Sequence, residues 1–592
     1  MARVALIVVV LGLLGAFPAA ATAGHQPIPE GPDAATLPPF TVSPATPRPV
    51  FATEPPAHPF LAPNGASNIH VDAWQTDRNA WFGPLGGGMT RTSSFQGADC
   101  ASHTFDGRGR IVTVCVGVAG PRLMLFEADT LHALATFPLP PRTIQTQGST
   151  NPFTNFSGGG YFVLDERDRA VIPTTTRHIW VVGETEPPGF RLEQDYDLSA
   201  AVPLGDAIIS ALPDWSGRIW FVSVAGVVGY VEVPTGAVRW IDTGEPISNS
   251  FAVGEDNEVY IVTDTAMYRF EADAGQPPRV AWRSVYANDG VKKPGQTQAG
   301  SGTTPSLMAP GYVAITDNAD PINVVVLQRA SGQPVCSAPV FARGASATDN
   351  SLIVTDRAIV AENNYGYTGP AATEGGASTT PGVERVDVTR DGRCVKRWHS
   401  DVRAPTSVPK LSLANGLVYV YSKPPRADRI DAWYLTAIDF RTGRTVYDRL
   451  AGEGLGFNNN YAPITLSRDG AAYVGVLGGL VRLADADSPA SLPVRVRLLA
   501  HCGRRGTRVR VGGADLPALR RVRFAFAGRR LKTDTTPPFK VRVPARDLSR
   551  FGDPLWARVH TADGRVAQRR RTVHACPAAR REQGATAPNF TG

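Results

Sequence analysis

Phe251-Ala252-Val253-Gly254-Glu255-Asp256-Asn257-Glu258-Val259-Tyr260-Ile261-Val262 is a short apolar strand, a tight polar turn and a second strand rich in β-branched and aromatic residues. The same unit recurs along the chain. Thr104-Phe105 turns at Asp106–Gly109 into Ile111–Val114, Tyr161–Leu164 at Asp165–Asp168 into Ala170–Ile172, and Ala211-Leu212 at Asp214–Gly217 into Ile219–Val222. Four more copies pair Ser306–Met308 with Tyr312–Ile315, Leu352–Val354 with Ala358–Val360, Leu411–Leu413 with Leu417–Val420, and Ile464–Leu466 with Ala472–Val474. Eight units between about 95 and 486, at a spacing of roughly 50 residues, predict an eight-bladed β-propeller over 68–488.

Composition agrees. The 592 residues include 59 Gly and 50 Pro, only 19% are charged, and no long Pro-free run rich in Ala, Glu, Lys and Leu occurs, which excludes coiled coils and long helical bundles. A hydrophobic share of 43% excludes disorder throughout.

A second motif lies where a third strand should turn into a fourth. Ala437-Ile438-Asp439-Phe440-Arg441-Thr442-Gly443-Arg444-Thr445-Val446 is its best copy, with weaker ones at Val233–Val238 and Arg329–Val335. Glycine supplies a positive φ in this turn, and Thr or Ser caps it. The pattern resembles the blades of quinoprotein-like propellers, and the Asp-x-x-Gly-Arg-Ile turns at Asp106 and Asp214 resemble NHL-like ones. The eighth unit lacks an outer strand, and the stretch between about Pro49 and Trp74 is expected to supply it, because an open edge invites pairing with other chains.

The ends read differently. Residues 1–23 carry Arg3, an apolar run from Val4 to Leu14 and Ala21-Thr22-Ala23, the pattern of a secretory signal peptide. No later segment approaches about 18 apolar residues, so no transmembrane span is expected in the mature chain. Residues 24–67 hold twelve Pro, which predicts an extended segment, partly disordered or wrapped over a surface. After Pro489 strands alternate at period two, and 491–578 resembles a small bacterial Ig-like β-sandwich, followed by a disordered tail at 579–592. Residues 491–582 carry 23 Arg and Lys against 6 Asp and Glu. So basic a module reads either as the solvated surface of a protein from an Arg-biased genome or, in an exported chain, as a site for an anionic cell-wall polymer or polysaccharide. Nucleic acid is not expected, since no groove-reading motif occurs.

Six cysteines in an exported chain predict three disulfides. If Phe105 faces Arg110, Cys100 lies opposite Cys115. Cys502 and Cys576 flank the C-terminal module, leaving Cys336 for Cys394.

No Gly-x-Ser-x-Gly, His-Glu-x-x-His, Walker A or EF-hand pattern occurs. Two clusters stand out. On a strand His70 and Asp72 would share a face and could ligate one metal, with Asp77 close behind; alternatively they hydrogen-bond and hold an incoming loop to the propeller rim. The second cluster precedes the inner strands, at one end of the channel: His103, Asn249, Thr304, Asp349, Asn350, Asn459 and Asn460. This ring can take Ca²⁺, water or a sugar, or can simply satisfy strand-end backbone groups. The resemblance implies PQQ and Ca²⁺ only where the site matches. The adjacent cysteine pair of many quinoproteins is absent and no stacking Trp can be placed on the channel, which weighs against PQQ. The leading expectation is an exported binding or interaction protein, extracellular or cell-wall-associated. The alternative is a Ca-dependent hydrolase or lactonase-like enzyme, or a quinoprotein-like one, using the channel end.

Overall fold

The computed structural model describes residues 44–486 and 496–575, apart from 64, 119, 143–152, 154, 504–505, 514–515, 517–518, 528, 550–551 and 562–565. The signal peptide, residues 24–43, Cys576 and the tail therefore lie outside the described residues.

Between Thr90 and Ala484 the chain forms eight four-stranded antiparallel sheets, the repeat of a β-propeller. Each of the eight hairpins quoted above forms the two inner strands of one sheet. Sequence composition accounts for the layering. Inner strands such as Ala252–Val253 and Val259–Val262 are apolar and wholly buried, whereas the outer strand Arg279–Val285 mixes apolar with polar residues and is largely exposed. Apolar faces of adjacent sheets pack on one another, so the core is a series of slabs between sheets.

The turns are held by side chains that the repeat supplies. Asp106 Oδ1 accepts from the backbone N–H groups of Arg108 and Arg110 at 3.0 and 2.7 Å, and Oδ2 pairs with Arg110 Nε at 2.7 Å. Asp165 with Arg169 and Asp214 with Arg218 repeat the arrangement. In the fourth sheet the charges are exchanged: Glu258 takes the arginine's place, accepts from Asp256 N at 3.0 Å and meets Arg329 of the next sheet at 3.3 Å.

The second motif ties neighbouring sheets. Asp439 Oδ1 accepts from Arg441 N, Thr442 N and Thr442 Oγ1. Trp398, on the outer strand Cys394–Ser400 of the preceding sheet, donates to Phe440 O at 2.9 Å and lies over Gly443. Gly443 has φ +72°, and a Cβ there would sit 2.7 Å from the Trp398 ring. Gly443→Ala is therefore expected to cost about 1–3 kcal/mol, from left-handed strain plus the clash. Urea unfolding checks this, and an unchanged midpoint would mean that Trp398 moves aside freely.

Closure corrects one expectation. The outer strand of the last sheet is Thr90–Phe95, paired antiparallel with Gly479–Ala484, and not the stretch between Pro49 and Trp74. Asp485 latches the junction by accepting from Leu85, Gly86 and Gly87 N–H at 2.5, 2.9 and 2.9 Å. Thr-Arg-Thr-Ser-Ser-Phe has no apolar alternation to announce it, because an outermost strand buries little of either face.

Cys100–Cys115 is formed, with Cα atoms 4.0 Å apart. The expected register holds only on one side of a bulge. Phe105 faces Ile111, and the irregularity between Asp99 and Ser102 shifts the pairing by one, after which Asp99 faces Val116. Cys336–Cys394 joins the outer strands of the fifth and sixth sheets. Cys502 is also disulfide-bonded.

The C-terminal module has two facing sheets. Arg497–His501, Gly506–Gly512 and Lys540–Pro544 form one. Arg529–Asp534, Leu519–Phe526, Asp553–Thr561 and Val566–Val573 form the other. Val509, Val522, Phe524, Phe539, Leu555 and Val559 fill the space between them.

Candidate functional site

The propeller channel is occupied by the chain's own N-terminal segment. Residues 66–79 run around the turn end of the inner strands and offer them carbonyl oxygens. Ser67 O accepts from Leu164 N, Ala73 O from Val253 N, Trp74 O from Leu307 N, Thr76 O from Val354 N, Asp77 O from Leu411 N and Asn79 O from Leu413 N, at 2.8–3.0 Å. Arg78–Asn79 adds a parallel fifth strand inside Lys410–Ser412. These inner strands would otherwise leave buried N–H groups facing an empty channel.

The segment is not the strand that the sequence suggests around His70 and Asp72. It is a series of turns, with Val71, Gln75 and Asp77 at φ 81°, 58° and 52°. As a result His70 pairs with Asp77 and not with Asp72: Nδ1 lies 3.0 Å from Asp77 Oδ2. Lys410 Nζ reaches Asp77 Oδ1 at 2.6 Å, from the inner strand of the seventh sheet. His70 Nε2 lies 3.2 Å from Thr304 Oγ1 and 3.3 Å from Ser351 Oγ. All three charged-type side chains are buried, and burial lowers the Lys410 pKa against the opposing pull of Asp77. Asp72 turns away to accept from Thr76 Oγ1 at 2.5 Å, and burial pushes its carboxyl up to about 6.

Beyond His70, at the opposite end, a cavity of about 60 Å³ remains. Ile69 and His70 meet Asp99, Arg142, Tyr161, Asn249, Asp349, Asn460 and Tyr461 around it. Three members of the expected ring thus reach it. Asp349 accepts from Thr297 N at 2.9 Å, Asn249 donates to Ser301 O at 3.1 Å, and Asn460 accepts from Tyr367 Oη at 3.1 Å. The others serve the scaffold. Thr304 meets His70. Asn350 Nδ2 donates to Glu362 Oε1 at 2.8 Å and Ser407 O at 2.9 Å. Asn459 accepts from Thr406 Oγ1 at 2.8 Å and donates to Ala462 O at 2.6 Å. His103 Nδ1 faces Ala101 O at 3.2 Å, and burial lowers its pKa to about 4, which keeps it neutral at physiological pH.

Asp99, Arg142, Tyr161, Tyr461, Glu362 and Lys410 were not flagged by sequence reasoning. Asp99 had one available signal, its place beside Cys100; the others sit in no motif. Burial raises Asp99 and Asp349 to about 7 and Glu362 well above the ordinary carboxylate range. Burial lowers Arg142 to about 10, while Nη2 donates to Ser157 O at 2.8 Å. Carboxyls raised above their unfolded values bind more protons in the native state through pH 4–7, so their contribution to stability falls as pH rises through that window. The variant D99N/D349N is therefore expected to gain stability relative to the parent between pH 4 and 8, measured as the difference in urea midpoints. A constant difference across that range would contradict it.

Chemically, the cavity offers two carboxyls, a guanidinium, amides and phenols in a space for a few waters. Among the described residues no group of three or more His, Cys, Asp or Glu side chains is placed to hold a metal ion.

No family model matches the chain. It is 28% identical over 321 residues to an uncharacterized protein of Archaeoglobus fulgidus, a match covering 48% of this chain and 62% of that protein. The chain thus spans less than two thirds of that curated relative's length. Among solved structures it is similar to quinohemoprotein alcohol dehydrogenase from Comamonas testosteroni, at 10% identity over 75% of this chain and 83% of that one, with a TM-score of 0.48. BamB from Moraxella catarrhalis is similar at 15% identity over 58% and 93%, with a TM-score of 0.35. Such likeness bears on fold alone, and the propeller assignment rests on the sheets themselves.

Proposed function

We propose that this chain is an exported binding protein: a closed propeller used as a rigid platform, joined to a basic sandwich that binds an anionic cell-wall polymer or polysaccharide. The observation that carries the reading is the filled channel. Residues 66–79 occupy one end of it, and the cavity at the other end is about 60 Å³. Sites for cofactors and other drug-sized ligands run to roughly 300–1,000 Å³. So small a cavity weighs against a tricyclic quinone beside His70, and two carboxyls, Asp99 and Asp349, weigh against the multi-acid set of a catalytic Ca²⁺. The disulfides support an oxidising compartment. No described helix is long and apolar enough to cross a membrane.

The test uses purified full-length protein. Expected are retention on anionic wall polymer that fades with salt, no stoichiometric Ca²⁺ by metal analysis, and no alcohol oxidation or lactone hydrolysis with added Ca²⁺ and PQQ. Tightly bound stoichiometric Ca²⁺ together with turnover would replace this reading by the enzymatic one.

A further inference from the structure

The arginines of the sandwich do not all share one face. Strand alternation puts Arg521 and Arg523 on the outer face of Leu519–Phe526, with Arg530 beside them on the edge strand and Arg570 on Val566–Val573, whereas Arg569 and Arg571 alternate to the other side. Two residues from Asp553–Thr561 complete that outer face. Arg558 stands directly opposite Arg523, and His560 directly opposite Arg521. Like charges directly opposed across a sheet destabilise it. Here Arg523 and Arg558 are such a pair, next to Arg521 and the uncharged His560 imidazole, and Arg441, from the turn of the seventh propeller sheet, adds its field to Arg523 and Arg558.

Among the described residues no carboxylate offsets this positive charge. Arg558 is 2% exposed, and among the described residues its hydrogen bond is to Pro47 O, 3.5 Å from Nη2. The Nε atoms of Arg521, Arg523 and Arg558 and Nε2 of His560 are buried without a hydrogen-bond partner. No carboxylate of the described residues pairs with any of the four. Glu54 binds Arg570 at 3.3 Å, and Asp439 is occupied by its own turn and by Arg48. Burial, then neighbouring arginines, lowers Arg558 to about 9 and His560 to about 3. A buried guanidinium with bare donors is costly unless an anion meets it.

We propose that this face binds a phosphate group, at Arg521, Arg523, Arg558 and His560. A carboxylate has two oxygens and saturates one guanidinium fork, whereas a phosphate can be shared among three forks on neighbouring positions and carries more charge against them. The inference rests on the reading of the sandwich as the anion-binding module, and names the group on the polymer that it holds.

The experiment uses the full chain and its R523M, R558M and R558K variants. Inorganic phosphate is titrated at constant ionic strength, followed by calorimetry and by the unfolding midpoint. Poly(glycerol phosphate) and polygalacturonate are then compared as polymers. Phosphate is expected to bind the parent and raise its midpoint. R523M should lose about tenfold or more in affinity, the size of one charge-assisted contact. R558K, which keeps the charge but not the fork, should also weaken binding. R558M should fold, since an apolar replacement relieves repulsion, and should no longer respond to phosphate. Preference for poly(glycerol phosphate), lost in these variants, would mark a phosphodiester polymer as the source; phosphate binding without polymer retention would mark free phosphate, uphold the site and remove the wall role. No phosphate binding by the parent, or equal retention of both polymers by parent and variants, overturns the site, and the latter leaves wall adhesion standing.

Discussion

Asp77→Asn is expected to destabilise the protein by about 3–5 kcal/mol, the cost of breaking a buried ion pair from one side. Asp77 is fully buried, and its carboxylate meets both Lys410 Nζ and His70 Nδ1. Without that charge the Lys410 ammonium remains in the channel at 1% exposure, with no ion pair among the described residues and only the Glu362 carboxyl in its field. Lys410→Met alone should also destabilise, because it leaves the buried carboxylate with His70 alone. The double variant D77N/K410M should recover much of the loss, since neither charge is then left unpaired. Urea denaturation of the four proteins closes the cycle. Additive losses would mean that the two residues act independently and that the channel is not held by this pair.

Excising residues 44–79 while keeping Thr90–Phe95 should cost about 5–10 kcal/mol. Six backbone N–H groups of inner strands lose their carbonyl partners in 67–79, each worth about 1 kcal/mol net once water replaces the partner. Trp74 and Leu61, both buried, are lost with them. The eight sheets should still close, because the outer strand of the last one lies beyond the excision. The expected product is a folded, less stable propeller with a water-filled channel, seen as a lower unfolding midpoint with retained β-sheet circular dichroism. If closure instead depended on 49–74, the excised chain would not fold at all, and an unchanged midpoint would deny the segment any structural part.

What the sequence determined by itself is what neighbours in the chain can encode. Phe251–Val262 and its seven counterparts carry strand, turn and strand within about a dozen residues, so period-two patterning and Asp, Asn or Gly in the turns suffice to specify the inner hairpins. Cys100 and Cys115 were legible for the same reason, since a single hairpin sets their distance. The ring at the channel end was half legible: Asn249, Asp349 and Asn460 reach the cavity, but Asn350 and Asn459 look equally polar and are spent on Glu362, Thr406 and the backbone. Tertiary structure alone decided the rest. His70 meets Thr304, Asp77 meets Lys410, Asp485 latches Leu85, and Arg558 faces Arg523 across strands and Arg441 across modules. Those partners are tens to hundreds of residues apart. Whether a buried charge is paired or left bare depends on which distant strands the ring and the sandwich bring together, and no local pattern records that.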